Sequence, residues 1–264
     1  MLAGIANLAR GVAMDPMHQF QIRPLIPIRI PMAGHLIDIS FTNSSLLMIA
    51  AVLVTILFLT LAMSGRTLVP GRAQSVAEIS YEFISNMIRD TAGPEGMRYF
   101  PFIYALFVFI LACNLLGLLP FSFTVMSHII VTFAMALAVI LAVVVIGFAR
   151  HGLGFLKLFA PSGVPWWLMW LIIPIEVMSF LIRPFSLGLR LFANMLAGHL
   201  ILDVFASFVI GLAGLGTLGI IGALAPFGVS VAMSALELLV AFLQAYVFAI
   251  LSSIYLRDAL HPGH

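Results

Sequence analysis

Charge is what this sequence has least of. Only 8% of its 264 residues are Asp, Glu, Lys or Arg, against about 25% in an ordinary soluble domain, and its mean hydropathy is +1.19. Water is therefore not the main solvent of this chain. The net charge of +2 is small and scattered along the sequence, which excludes the concentrated basic surface that a nucleic-acid partner needs. The single cysteine, Cys113, lies inside an apolar run, so no disulfide framework exists. No convincing signal peptide is expected in Met1 to Met14, which is too short and too weakly apolar for one; Met14 offers an alternative start. No internal repeat stands out, and the only biased stretch is Gly-rich 211–222.

What the chain has instead is length without polarity. Apolar runs of about 20 residues, enough to cross a hydrocarbon core of about 30 Å, recur along it. We expect an all-α integral membrane protein with about five transmembrane helices, spanning about 43–63, 99–119, 128–148, 165–202 and 205–256. Residues 43–264 form one membrane domain in this reading, and 1–42 an N-terminal segment outside it. Pro24, Pro27 and Pro31 exclude a long helix before residue 43 and leave an extended, alternating stretch from Leu25 to Ser40. Ser44 or Ser45 can cap the first span, and Gly65 can end it. Within 72–92, Val76, Ile79, Phe83, Met87 and Ile88 recur at helical spacing while Glu78, Glu82 and Arg89 lie elsewhere. That pattern suits an amphipathic helix on the membrane surface; a soluble linker helix is the alternative.

The basic residues give an orientation. Arg66, Arg72, Arg89 and Arg98 share one side of the membrane, and Arg150 and Lys157 return to it after two more crossings. The connection from Pro120 to Ser127 carries no charge. The positive-inside rule then places the charged loops and the C-terminus with Arg257 in the cytoplasm, and the N-terminus outside. Arg10, Arg23 and Arg29 run against the rule.

The last hundred residues hold the unusual chemistry. Pro165 to Leu202 would be about 57 Å long as a helix, so it either breaks at Pro174 or Pro184 or lies steeply tilted. Tilt is favoured by a polar stripe: Glu176, Ser179, Arg183, Ser186, Arg190 and Asn194 fall 3 or 4 residues apart, on one helix face. A charge at membrane depth costs about 2.5–3.5 kcal/mol, so the stripe faces protein or a wet cavity. Glu176 and Arg183 can be a simple packing ion pair. Arg190 has no acidic residue within two turns on its own helix. Ser230, Ser234, Glu237, Gln244, Ser252 and Tyr255 repeat the device on the last helix. An antiparallel hairpin turning within Gly211 to Gly222 brings Arg190 to Gln244 and His199 to Glu237 in nearly the same register. His199 is then either a satisfied core histidine or half of a proton-exchanging pair.

The run Arg183-Pro-Phe-Ser-Leu-Gly-Leu-Arg190-Leu-Phe-Ala-Asn194-Met-Leu-Ala-Gly-His199 resembles the signature of F-type ATP synthase subunit a. Leu243-Gln244-Ala-Tyr-Val-Phe resembles that family's last helix, and Asn114-Leu-Leu-Gly-Leu-Leu-Pro120 its second span. His199 with Glu237, and Asp15-Pro-Met-His-Gln-Phe20, are similar to alphaproteobacterial members. The resemblance covers roughly 15–258. It implies a multi-pass stator in a bacterial inner membrane, set beside a rotating c-subunit ring and held by peripheral-stalk b subunits, in a complex that makes ATP. It assigns Arg190 as the charge facing the ring carboxylates, oriented by Gln244. His199, Glu237 and Asp203 would line the inlet; Asn194, Ser186, Ser179 and Glu176 would line the outlet. The helix at 72–92 would contact the stalk. The family's subunit a binds no nucleotide, cofactor or metal, and proton coupling is likewise what the resemblance implies. A self-contained channel or transporter is the rival reading, but no paired repeats with broken helices support it. A second rival is an assembly protein whose polar stripes only glue helices together.

Overall fold

The computed structural model describes residues 22, 24–27, 29–32, 35–38, 40–65, 70–119, 123–159 and 165–261. The expectations for Met1 to Phe20, Arg23, Arg66 and Pro120 fall outside these residues. Ahead of the helices, β1 (Pro24–Ile26) pairs antiparallel with β4 (Phe41–Thr42), and β2 (Arg29–Met32) with β3 (His35–Asp38). The prolines that forbid a helix there permit these short extended ladders.

Helix α1 (Asn43–Ser64) is capped by Thr42, whose side chain accepts from the Ser45 amide, rather than by Ser44 or Ser45. It ends at Gly65. Helix α2 (Arg72–Gly96) leaves helical geometry at Gly93, which takes a φ of 71° just before Pro94. The helices α3 (Phe100–Gly117) and α4 (Ile129–His151) follow, joined by a loop that contains a 3-10 turn at Val125–Ser127. The chain closes with α5 (Trp166–Ala213) and α6 (Thr217–Leu260). Among the described residues, five helical stretches are long and apolar enough to cross a membrane, with α2 and α3 counted as one.

The last two helices depart from the expected bounds. The span expected over 165–202 continues to Ala213, and the one expected from 205 begins at Thr217. Nothing around Asp203 breaks a helix, and the turn forms where Gly216 can adopt a φ of 91°. Pro174 and Pro184 sit inside α5 without dividing it. At 1.5 Å per residue, 48 and 44 residues make helices about 72 and 66 Å long. Both are more than twice the thickness of a hydrocarbon core of about 30 Å, so neither can stand upright in it.

Packing concentrates on α6. Its buried side chains include Ala241, Ala245, Ala249, Ser252, Ser253 and Ala259, small residues that let neighbouring helices approach closely. Ile103, Phe107 and Ile110 of α3 and Val139 and Val143 of α4 join Ala245, Phe248 and Ala249 in one core. Helix α5 buries only a narrow seam: Phe180, Pro184, Leu187, Gly188, Leu191 and Met195. At Gly188 that seam comes close to α4, since a Cβ there would lie 3.0 Å from the Phe133 Cα. Most of the remaining surface of α5 faces outward.

Helix α2 divides its apolar residues differently from the expectation. Met87 and Ile88 are buried with Ala77, Ile84 and Ala92, while Val76 and Ile79 stay exposed. Alanines complete a packing stripe that periodicity of large residues alone does not show. The helix therefore has an inner apolar face against the bundle and an outer one.

Candidate functional site

The polar residues of the α5–α6 hairpin separate into three places. Near the middle of α5, Arg190 and Asn194 lie on its exposed side. Among the described residues, Arg190 makes no ion pair and no hydrogen bond; the Tyr255 phenol is close enough to interact with its charge. Gln244 is half-buried on α6 and is not hydrogen-bonded to Arg190. Ser179 is exposed on the same outer side of α5. Ser186 turns its hydroxyl back to the Arg183 carbonyl, 3.1 Å away, and Glu176 is half-buried without an ion pair.

A second place lies two and a half turns beyond Arg190, on the inner side of α5. His199 Nε2 approaches Glu237 Oε1 at 3.4 Å. Glu237 is 5% exposed and both its oxygens are buried without a hydrogen-bond partner. Asp203, one helical turn past His199, lies close enough for its charge to act on Glu237. Gly198 makes the approach possible: a Cβ there would stand 2.8 Å from Glu237 Oε1. The third partner comes from outside the hairpin. Thr124, in the loop between α3 and α4, places its hydroxyl 3.0 Å from His199 Nε2. Sequence reasoning missed it, because an uncharged loop gives no reason to single out one threonine.

The third place is the far end of the hairpin. Arg183 Nη1 donates to Asp258 Oδ2 at 2.9 Å. Its guanidinium also lies 5.2 Å from the Tyr255 ring centre and 5.8 Å from that of Phe180, within cation–π range. Arg183 is thus tied to α6, and the alternative of a Glu176–Arg183 pair on one helix is excluded. Asp258 carried no sequence signal beyond being an acid beside Arg257. At this same end, Arg150 of α4 pairs with Glu95 of α2, and the His151 ring meets the Leu260 carbonyl at 2.9 Å. These contacts gather the ends of α2, α4 and α6.

No cluster of metal-ligating groups occurs among the described residues. The arrangement holds a buried His/Glu pair able to exchange a proton, and, half a turn away in azimuth, a fixed cation on an open face.

Comparison with known proteins decides the family. The family model described as ATP synthase A chain matches residues 45–257. The chain belongs to the ATP synthase A chain family. A protein named ATP synthase subunit a from Chelativorans sp. is 61% identical over 253 residues, which cover 96% of this chain and all of the relative. Its namesake from Mesorhizobium japonicum is 59% identical over 251 residues, 95% of this chain and 98% of the relative. That from Xanthobacter autotrophicus is 58% identical over 253 residues, 96% of this chain and all of the relative. The match runs from α1 into α6 and so takes in the α5–α6 hairpin.

Proposed function

We propose that this chain is the stator of a rotary ATP synthase membrane sector, guiding protons through two offset half-channels past a c-subunit ring. The observation that carries this reading is Arg190: a guanidinium near the middle of an apolar helix, on its open side, with no carboxylate partner among the described residues. Such a group keeps its proton under any biological condition. At membrane depth a bare charge costs about 2.5–3.5 kcal/mol, and among the described residues Arg190 has no fixed anion to offset it. A carboxylate carried past on a neighbouring ring supplies the counter-charge transiently.

The mechanism follows from where the groups sit. A proton enters from outside the cell through the His199, Glu237 and Asp203 cluster and neutralises a ring carboxylate. The neutral site can then move into lipid, and rotation delivers it to the cytoplasmic outlet lined by Asn194, Ser186, Ser179 and Glu176. Arg190 attracts the ionised carboxylate and repels any proton passing directly between the two channels; Gln244, not hydrogen-bonded to it in this structure, orients it once the ring carboxylate is engaged. One proton crossing 100 mV releases about 2.3 kcal/mol, which drives rotation only while that short circuit is closed. The inner side of α5 carries the inlet pair and the outer side carries the cation, which suits two paths better than one pore.

Residues 1–42 lie on the periplasmic side in this reading and the C-terminus in the cytoplasm of a bacterial cell with an inner membrane. The outer face of α2 contacts the peripheral-stalk b subunits. Mild detergent extraction and purification through a tag on this chain should recover a ring of small helical hairpins, two-helix proteins bearing one membrane-depth carboxylate, together with a stalk. Recovery of the chain alone as a conducting species would overturn the stator reading in favour of a channel.

A further inference from the structure

The loop between α3 and α4 contributes one side chain to the His199–Glu237 pair, and its placement is unusually constrained. Thr124 is 4% exposed. Its carbonyl accepts from the Ser127 hydroxyl at 2.6 Å and from the Ser127 amide at 3.3 Å. The intervening Val125 and Met126 are 2% and 0% exposed, so the 3-10 turn is plugged into the core. On the other side, the Thr124 methyl packs closely on Gly117, where a Cβ would lie a tight 3.1 Å from it. A β-branched side chain has few rotamers to begin with. Held between Gly117 and its own turn, Thr124 keeps its hydroxyl aimed at His199 Nε2, 3.0 Å away.

That nitrogen also faces Glu237 Oε1 at 3.4 Å, so it is the atom through which the pair exchanges a proton. The geometry points to Thr124 as a positioning residue for this exchange, holding the His199 ring against Glu237 in both protonation states. When the imidazolium carries a proton on Nε2, the Thr124 oxygen can accept alongside the Glu237 carboxylate. The proton then moves to a Glu237 oxygen, the electron pair of the broken N–H bond stays on Nε2, and the neutral ring keeps its proton on Nδ1. Nε2 has now changed from donor to acceptor, and once Glu237 passes the proton on, its carboxylate has no hydrogen to offer that lone pair. A hydroxyl both donates and accepts. Thr124 rotates its O–H toward the lone pair, so neither state leaves Nε2 unsatisfied, and the ring need not move between turnovers.

This inference rests on the reading of His199 and Glu237 as the proton inlet. The test uses the whole synthase in proteoliposomes, with ATP-driven acidification and acid-jump ATP synthesis as readouts. Thr124→Val keeps the shape and removes the hydroxyl; both rates should fall about three- to ten-fold, the worth of one buried hydrogen bond. Thr124→Ser restores a hydroxyl and should stay within about two-fold of the parent. Adding Thr124→Val to His199→Ala should cost nothing further. Should Thr124→Val fail to assemble, Thr124→Ala replaces it against the same Ser control. Parent-like rates in the hydroxyl-free variant refute the positioning role, as does a Ser variant equally slow, or a further loss in the double variant. Normal rates in His199→Ala alone would instead sink the inlet reading itself.

Discussion

Arg183 and Arg190 stand seven residues apart on one helix, two turns along the same polar stripe, yet the molecule treats them oppositely. Arg183 is paired with Asp258 and packed against two aromatic rings. Arg190 projects from the open side of α5 and is paired with nothing among the described residues. The first is a structural cation whose neutralising anion is built into α6. The second is a cation kept without one. In apolar surroundings, an arginine is tolerated when it is neutralised locally or when something outside the chain neutralises it. In the proposed function, the contrast separates the part of the hairpin that holds the fold from the part that meets a partner.

The largest expected effect follows from removing the unpaired cation. Arg190→Ala should leave the complex assembled and ATP-driven proton pumping undetectable, read as loss of acidification in inverted membrane vesicles. Arg190→Lys should lose most of the activity as well, since an ammonium lacks the planar, multi-donor fork and sheds its proton more easily when desolvated. Normal pumping in Arg190→Ala would erase the distinction between the two arginines.

A middle-sized effect belongs to the group that is partnered but titratable. His199→Ala should slow pumping by about ten-fold or more without abolishing it, as expected when a positioned proton carrier is lost but water can still reach Glu237. Pumping at the parent rate would remove His199 from the path. Total loss, equal to that of Arg190→Ala, would show that a proton carrier and the stator charge are not separable in the way the azimuthal split suggests.

How much of this was legible without coordinates follows from the range of each interaction. Helical spacing along α5 was enough to group Arg183, Ser186, Arg190 and Asn194, because their relation is local. The His199–Glu237 contact was reachable too, since a hairpin turn in a small-residue stretch sets an approximate register. Asp258 was not, because its hydrogen bond to Arg183 spans 75 residues and an acid beside Arg257 reads as loop charge. Thr124 was hidden for the same reason: its partner lies 75 residues away and its loop carries no pattern. The start of α6 was placed too early, although the turn itself was expected within Gly211 to Gly222, because α5 runs unbroken through Asp203, one turn past His199, to Ala213. On α2, the buried stripe relies on Ala77 and Ala92, residues that periodicity weighs lightly.

The smallest effects test the other arm of the contrast. Asp258→Asn leaves the Arg183 guanidinium, only about a quarter exposed, without its anion. Removing one partner of a partly buried pair costs about 1–3 kcal/mol when the other is stranded, and the aromatic rings on Arg183 offset part of that. The complex should unfold a few degrees earlier in a thermal scan, with pumping close to the parent rate at ambient temperature. The double variant Arg183→Gln with Asp258→Asn should regain most of the lost stability, because neither charge is then stranded and the two amides can still meet between α5 and α6. If Asp258→Asn stopped pumping as completely as Arg190→Ala, Arg183 would be part of the proton path, and its tie to α6 a functional contact rather than an anchor. Recovery in the double variant is the result that keeps the two arginines in different roles: the paired one is replaceable by any neutral pair of similar shape, and the unpaired one by nothing.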